Sequence, residues 1–149
     1  MKYSHDVIVI GAGAAGLTAA GGCAMFGLKV ALIERAEMGG ECLNNGCVPS
    51  KALITAAKRA AEANVQDRFG IQMTAAKVNW PGVHAHIHRA IAEIAPHDSQ
   101  ERFEEMGCDV YRGHARFTHP KRVAVDDVVL SAPKIVIATG SEPFVPPME

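Results

Sequence analysis

Two cysteines, Cys42 and Cys47, lie in the stretch 38–51, M-G-G-E-C-L-N-N-G-C-V-P-S-K, and Lys51 follows the second by one helical turn. Two thiols this close can exchange two electrons by closing and opening a disulfide. Five positions along a regular α-helix hold Cα atoms roughly 8–9 Å apart, from its rise and radius. A disulfide needs about 4.4–6.8 Å. The pair therefore requires a bent segment, and Asn44-Asn45-Gly46 supplies residues that tolerate turn or left-handed geometry. A bridge closing so short a loop adds little stability and is easily strained, which suits a redox-active bond better than a structural one. If a helix begins at Cys47, the Lys51 ammonium and the positive helix end both favour a thiolate there. Zinc ribbons and thioredoxin-like motifs use C-x-x-C spacing, which this pair does not have.

The elements that must position the pair come from an ordinary globular composition. The 149 residues are 48% apolar and 21% charged, with a formal net charge of −1. No basic block favours nucleic acid or an anionic membrane surface, and no apolar run reaches the length of a spanning helix. The residues before 7 lack a signal-peptide layout, so a cytoplasmic location is the expectation. The remaining cysteines, Cys23 and Cys108, read as small core side chains.

An apolar run at 6–10, D-V-I-V-I, reads as a buried parallel strand. It leads into Gly11-Ala12-Gly13-Ala14-Ala15-Gly16, a small-residue helix to about Phe26 with Gly27 as its stop, and a second strand at 29–33 followed by Glu34. Strand, glycine turn, helix, strand and acid in this order form a dinucleotide-binding unit. Gly11 permits the tight turn, Gly13 admits a pyrophosphate to the backbone, and Gly16 lets helix and strand pack closely. The helix N-terminus offers N–H groups to phosphate, and Glu34 can accept from a ribose diol. The unit alone does not separate FAD from NAD.

Downstream, 49–64 predicts a helix carrying Leu53, Ile54, Ala57 and Ala61 on one side, with Pro49 in its first turn. The stretch 65–78 is less regular. A helical pattern over 80–106 is interrupted at Pro96-His97-Asp98-Ser99. His84 and His88 have the i, i+4 spacing of metal ligands, but no third donor completes a zinc or iron site, and His84, His86 and His88 read as a solvated face. The segments 110–112, 114–118, 122–125 and 128–130 predict short antiparallel strands, and 134–138 another apolar strand running into Thr139-Gly140-Ser141. The end, with Pro143, Pro146 and Pro147, is linker-like, so the chain is expected to be the front portion of something longer.

The segment 39–51 resembles the active-site signature of the pyridine nucleotide-disulfide oxidoreductases, the group of dihydrolipoamide dehydrogenase, mercuric reductase and glutathione reductase. The Gly11/Gly13/Gly16/Glu34 unit and I-V-I-A-T-G at 135–140 fit the same family. The resemblance implies an α/β fold: a Rossmann-like FAD-binding domain, with a parallel sheet, helices and a small antiparallel meander, as the first segment of a discontinuous domain over 1–149. It implies FAD held by Gly11, Gly13, Ala14, Ala15, Gly16, Glu34, Arg35 and Gly40. Cys42, Cys47 and Lys51 would lie at the flavin, the Gly113-His114-Ala115 backbone at the adenine, and Thr139 and Gly140 along the cofactor. Cys47 would be the flavin-side thiol, Cys42 the interchange thiol, and Lys51 the neighbour of the flavin N5 edge.

The implied chemistry is hydride from NAD(P)H to the flavin, electrons on to the Cys42–Cys47 disulfide, and then to a small disulfide or dithiol or a metal ion. Dihydrolipoamide dehydrogenase runs it in reverse. The NAD(P)-binding domain and the dimerisation domain with its His–Glu pair are absent, so 1–149 is expected not to turn over alone, and the complete enzyme to be a homodimer. Glu41 stands where the family commonly has Thr, which argues against a phosphate role there. Ser50-Lys51 stands where glutathione reductases usually carry Lys-Lys, which argues against that substrate. The alternative reading is a stand-alone nucleotide-binding module without redox catalysis.

Overall fold

The computed structural model describes residues 3–64, 70, 74, 76–141 and 144–148. Most of the irregular stretch expected at 65–78 lies outside them, as does Pro143. The chain divides into two compact units, Met1–Gly40 with Asp98–Glu149, and Glu41–His97.

The first unit is built on a four-stranded parallel sheet. β1 (Val7–Ile10) lies between β2 (Val30–Glu34) and β7 (Lys134–Ile137), and β3 (Cys108–Arg112) extends the sheet beyond β2. Val7 pairs with Val30 on one side and Lys134 on the other. Every β1 residue is buried because both faces of the strand are covered. Val7 and Val9 point to one face, where they meet Leu17 and Ala20 of helix α1 (Ala14–Met25) and Phe103 of helix α5 (Gln100–Glu105). Ile8 and Ile10 point to the other, against Val123, Val125 and Leu130. Those three belong to an antiparallel sheet of β4 (Ala115–His119), β5 (Arg122–Val125) and β6 (Val128–Ser131). The period-two alternation of one strand thus holds three layers together.

One expectation is corrected. The segment 110–112, read as the first antiparallel strand, belongs to β3 and pairs in parallel with β2, Val30 opposite Cys108. Its polar residues suggested a half-exposed hairpin, but Cys108 is buried under Ala20 and Phe103, so the strand start is a core position. Cys108 and the half-buried Cys23 both pack into this core, as expected of small apolar side chains. Burial pushes the Cys108 thiol up, with smaller contributions from Asp109 and Cys23, which keeps it protonated. His5, 4% exposed, ties the N-terminus to β3: its Nε2 lies 2.9 Å from Asp109 Oδ2 and its Nδ1 2.9 Å from Ser4 Oγ.

The second unit is helical. A short helix α2 (Gly40–Asn44) precedes α3 (Cys47–Asn64), which packs against α4 (Trp80–Ile94). The expected interruption after α4 is a 3-10 turn over Ala95–Asp98, and Ser99 restarts the helix by accepting from the Arg102 N–H at 3.3 Å. The predicted apolar side of α3 is open: Leu53 is 40% exposed and Ile54 52%. With Val78, Trp80 and Val83, Leu53 and Ala57 line an apolar groove of about 530 Å³.

The tightest contact in the first unit lies between α1 and the turn after β1. A methyl group at Gly16 would sit 1.7 Å from the Gly11 carbonyl oxygen, so the helix can approach the strand end only without a side chain there. Gly16→Ala should therefore destabilise the protein by about 3 kcal/mol. Gly22→Ala, in the same helix with open space around it, should stabilise by up to about 1 kcal/mol. Urea unfolding midpoints distinguish the two, and equal effects would show that the Gly16 contact is not the constraint.

Candidate functional site

The C-terminal ends of all four parallel strands surround a cleft of about 650 Å³. β1 delivers Ile10 and Gly11, and β2 delivers Ile33, Glu34 and Arg35. Gly113, His114 and Ala115 follow β3, and Thr139, Gly140 and Ser141 follow β7. The chain leaves β1 toward β2 on one side and returns to β7 on the other, so the cleft lies at a topological switch point, where open parallel sheets bind ligands. Its volume falls within the range of small-molecule sites, about 300–1,000 Å³.

Glu34 organises the floor. Its Oε2 accepts from the Ala12 N–H at 2.6 Å and its Oε1 from the Ala36 N–H at 2.7 Å. The sequence suggested only a ligand-facing role; the structure adds that this carboxylate fastens the glycine turn to the end of β2. Each oxygen keeps a further lone pair toward the cleft. Arg112 donates to the Ala36 carbonyl, and the Gly113 N–H donates to the Glu34 carbonyl at 2.9 Å, which brings the β3 end alongside.

Beside the cleft, Gly13 caps α1 in an extended conformation without a side-chain hydrogen bond, and Ala14 and Ala15 in the first turn are exposed. The N–H groups of this turn have no acceptor within the helix. Gly39 donates to the Ala12 carbonyl at 2.9 Å, and Gly40, at φ +57, would place a Cβ 2.7 Å from the Gly13 Cα. Gly40 thus lets its segment lie against the glycine turn.

Of the residues expected to contact a cofactor, Gly11, Glu34, Arg35, His114, Ala115, Thr139 and Gly140 line the cleft. Gly13, Ala14, Ala15 and Gly40 lie off its wall, at or against the start of α1. Gly16 is buried and packs against the Gly11 carbonyl. Ile10, Ile33, Gly113 and Ser141 complete the wall. Gly113 is read from the sequence with His114 and Ala115; Ile10, Ile33 and Ser141 each adjoin a residue the sequence singled out, and only their place at a strand end could have marked them.

The second unit carries the thiols. Cys42 lies in α2 and Cys47 opens α3, with the break at Asn45-Gly46. The N–H groups of Asn45 and Gly46 both donate to the Glu41 carbonyl, at 3.0 and 2.6 Å. Of the turn or left-handed geometry expected there, the structure takes the turn: neither Asn44, Asn45 nor Gly46 has positive φ. The room at Gly46 is what counts, since a Cβ would sit 2.9 Å from the Glu41 carbonyl oxygen. The Glu41 carboxylate accepts from the Asn45 side chain at 3.3 Å, so it serves the turn itself.

Cys42 and Cys47 carry free thiols in mutual hydrogen-bond contact. The hydrogen bond to the Cys47 sulfur, then burial, then the charge Cys47 can carry raise the Cys42 thiol above its ordinary range. The Cys47 backbone N–H and, less strongly, the Lys51 ammonium pull the other way. The helix end and the lysine, read from the sequence as favouring a thiolate at Cys47, also reach Cys42. Among the described residues no three His, Cys, Asp or Glu side chains converge on a metal position.

The family model described as pyridine nucleotide-disulphide oxidoreductase matches residues 5–149. A dihydrolipoyl dehydrogenase of Synechocystis is 36% identical over 97% of this chain and 32% of its own length. A mercuric reductase of Lysinibacillus sphaericus is 32% identical over 96% of the chain and 26% of its own, and a glutathione reductase of Burkholderia cepacia 36% identical over 99% and 32%. The chain thus spans 26–32% of the length of these relatives. Among solved structures, the Cu(II) complex of the HOCl-induced flavoprotein disulfide reductase RclA from Escherichia coli superposes with a TM-score of 0.77 at 27% identity, over 96% of this chain and 29% of that one. The glycine turn, the switch-point cleft and the cysteine pair thus have a common explanation: the chain belongs to the pyridine nucleotide-disulphide oxidoreductases.

Proposed function

We propose that residues 1–149 are the first FAD-binding segment of an NAD(P)-dependent disulfide oxidoreductase whose redox couple is Cys42 and Cys47. The observation that carries this reading is the contact of the two thiols across a turn that opens helix α3. A pair so placed converts between dithiol and disulfide by losing or gaining two electrons and two protons, with little backbone movement.

The residues around the cleft fit FAD. Glu34 has lone pairs left for a ribose diol after accepting from Ala12 and Ala36. The exposed first turn of α1, at Ala14 and Ala15, offers N–H groups and the positive helix end to a pyrophosphate. Gly113, His114 and Ala115 supply the wall for an adenine, and Thr139 and Gly140 flank the remaining length. When bound, a flavin supplies two-electron transfer between a nicotinamide and a disulfide.

The thiols do the substrate chemistry. Cys42, deprotonated, attacks a substrate disulfide and releases one thiolate, which leaves as a thiol after protonation. The Cys47 thiolate then attacks the Cys42 sulfur of the mixed disulfide, expels the second thiol and closes the Cys42–Cys47 bridge. The substrate gains the two electrons that the pair loses. Lys51, one turn into α3, favours the thiolate form of Cys42. Relatives named for dihydrolipoyl, mercuric and glutathione substrates have similar identity. The substrate class we propose is therefore a small disulfide or dithiol, or a soft metal ion held by the two sulfurs. The complete enzyme binds NAD(P)H on a separate domain, acts as a homodimer, works in the reducing cytoplasm, and requires those further parts for turnover.

The full-length protein should be yellow, and NAD(P)H should produce a long-wavelength charge-transfer band that is lost in Cys47→Ser. A band that survives in Cys47→Ser removes Cys47 from the flavin-side role, and a protein without flavin refutes the reading. Glu34→Ala should weaken flavin retention by about 2 kcal/mol, since a charged acceptor of two N–H groups is lost; dissociation followed by fluorescence measures it. The pH dependence of Cys42 alkylation has a definite sign. Cys47→Ala removes the largest raising influence and should shift the reactive range to lower pH. Lys51→Met removes a lowering one and should shift it to higher pH. Mass-spectrometric rates at a series of pH values test both directions.

A further inference from the structure

Helix α4 presents an arrangement that neither the cleft nor the thiol pair uses. His84 and His88 lie one turn apart on one face. Their Nε2 atoms are 3.3 Å apart, with ring centroids 4.4 Å apart and planes at 71°. Both side chains are exposed, and among the described residues each imidazole has only the other as a hydrogen-bond partner. His86, two positions from each, belongs to a different side of the helix.

We propose that His84 and His88 form a two-nitrogen chelate for a divalent transition-metal ion of the zinc, nickel or copper type. The separation is the argument. A metal–imidazole bond of about 2.0–2.1 Å at a tetrahedral ligand angle sets two coordinating nitrogens about 3.4 Å apart. The two Nε2 atoms already stand at 3.3 Å, so an ion can take the place of the shared hydrogen between the rings without a backbone change. Imidazole nitrogens select zinc, nickel and copper over magnesium and calcium, and the ordinary stability order puts copper(II) first. Both rings face solvent, so water fills the remaining positions. Among the described residues no third protein donor joins the two imidazoles. The site is therefore an open, exchangeable one, distinct in its all-nitrogen ligands from the sulfur pair of α2 and α3.

The test uses the purified 149-residue chain with its accessible thiols alkylated, so that Cys42 and Cys47 do not compete. Copper(II) added to it should give an electron paramagnetic resonance spectrum of one ion with two imidazole nitrogens. His84→Gln and His88→Gln should each lower the affinity by about a hundredfold, because the second nitrogen binds as an intramolecular event. His86→Gln should leave both spectrum and affinity unchanged. Glutamine suits an exposed helix position, so the variants should stay folded, and circular dichroism verifies that. Retention of the two-nitrogen spectrum in either single variant overturns the proposal, as does an equal loss in His86→Gln. Binding no tighter than that of a lone surface histidine overturns it as well.

Discussion

The Glu34 carboxylate is the interaction on which the cleft depends. A glycine-rich turn is cheap to bend and therefore poorly specified by itself. Two backbone N–H groups, from Ala12 and Ala36, converge on the two carboxylate oxygens and fix that turn to the end of the neighbouring strand. Charge-assisted bonds of this kind are roughly twice as strong as neutral ones. The acid at the second strand end thus acts before any ligand arrives, by holding the open end of α1 in position. Each oxygen spends one lone pair on this structural role and keeps another.

Much of this was legible in the sequence because local rules and global packing agree there. The run V-I-V-I reads as a buried parallel strand, Gly11 as the tight turn after it, and Gly16 as the point of close helix–strand approach. The interruption near Pro96 and the helix over 49–64 followed from proline placement and periodicity, and the structure starts that helix at Cys47. The assignment of β3 did not follow. Its alternation of Cys108, Asp109, Val110 and Tyr111 suits a hairpin as well as a sheet edge, and only pairing with β2 decides the matter. The turn at Asn45-Gly46 was legible as a bend but not in its mechanism, which rests on space beside the Glu41 carbonyl and not on a left-handed residue.

The thiol pair illustrates a second limit. Spacing shows that two sulfurs can meet, and the signature shows the family, but neither shows which sulfur receives the helix end. The Cys47 N–H and the Lys51 ammonium both act on Cys42. A dipole argument applied along the sequence assigns these influences to the cysteine at the helix start. In space the same influences extend to Cys42, the cysteine of the preceding helix.

The register of the parallel sheet bears on the order of events during synthesis. β1 is flanked on one side by β2, a near neighbour in the chain, and on the other by β7, whose Lys134 pairs with Val7. The wall of the cleft at Thr139–Ser141 therefore closes only after almost all of the 149 residues have left the ribosome. Contacts so distant in sequence form late, and domains made vectorially must wait for them. Cys42 and Cys47 emerge long before that strand does. The helical segment that carries them is thus made before the sheet of the other unit can be completed.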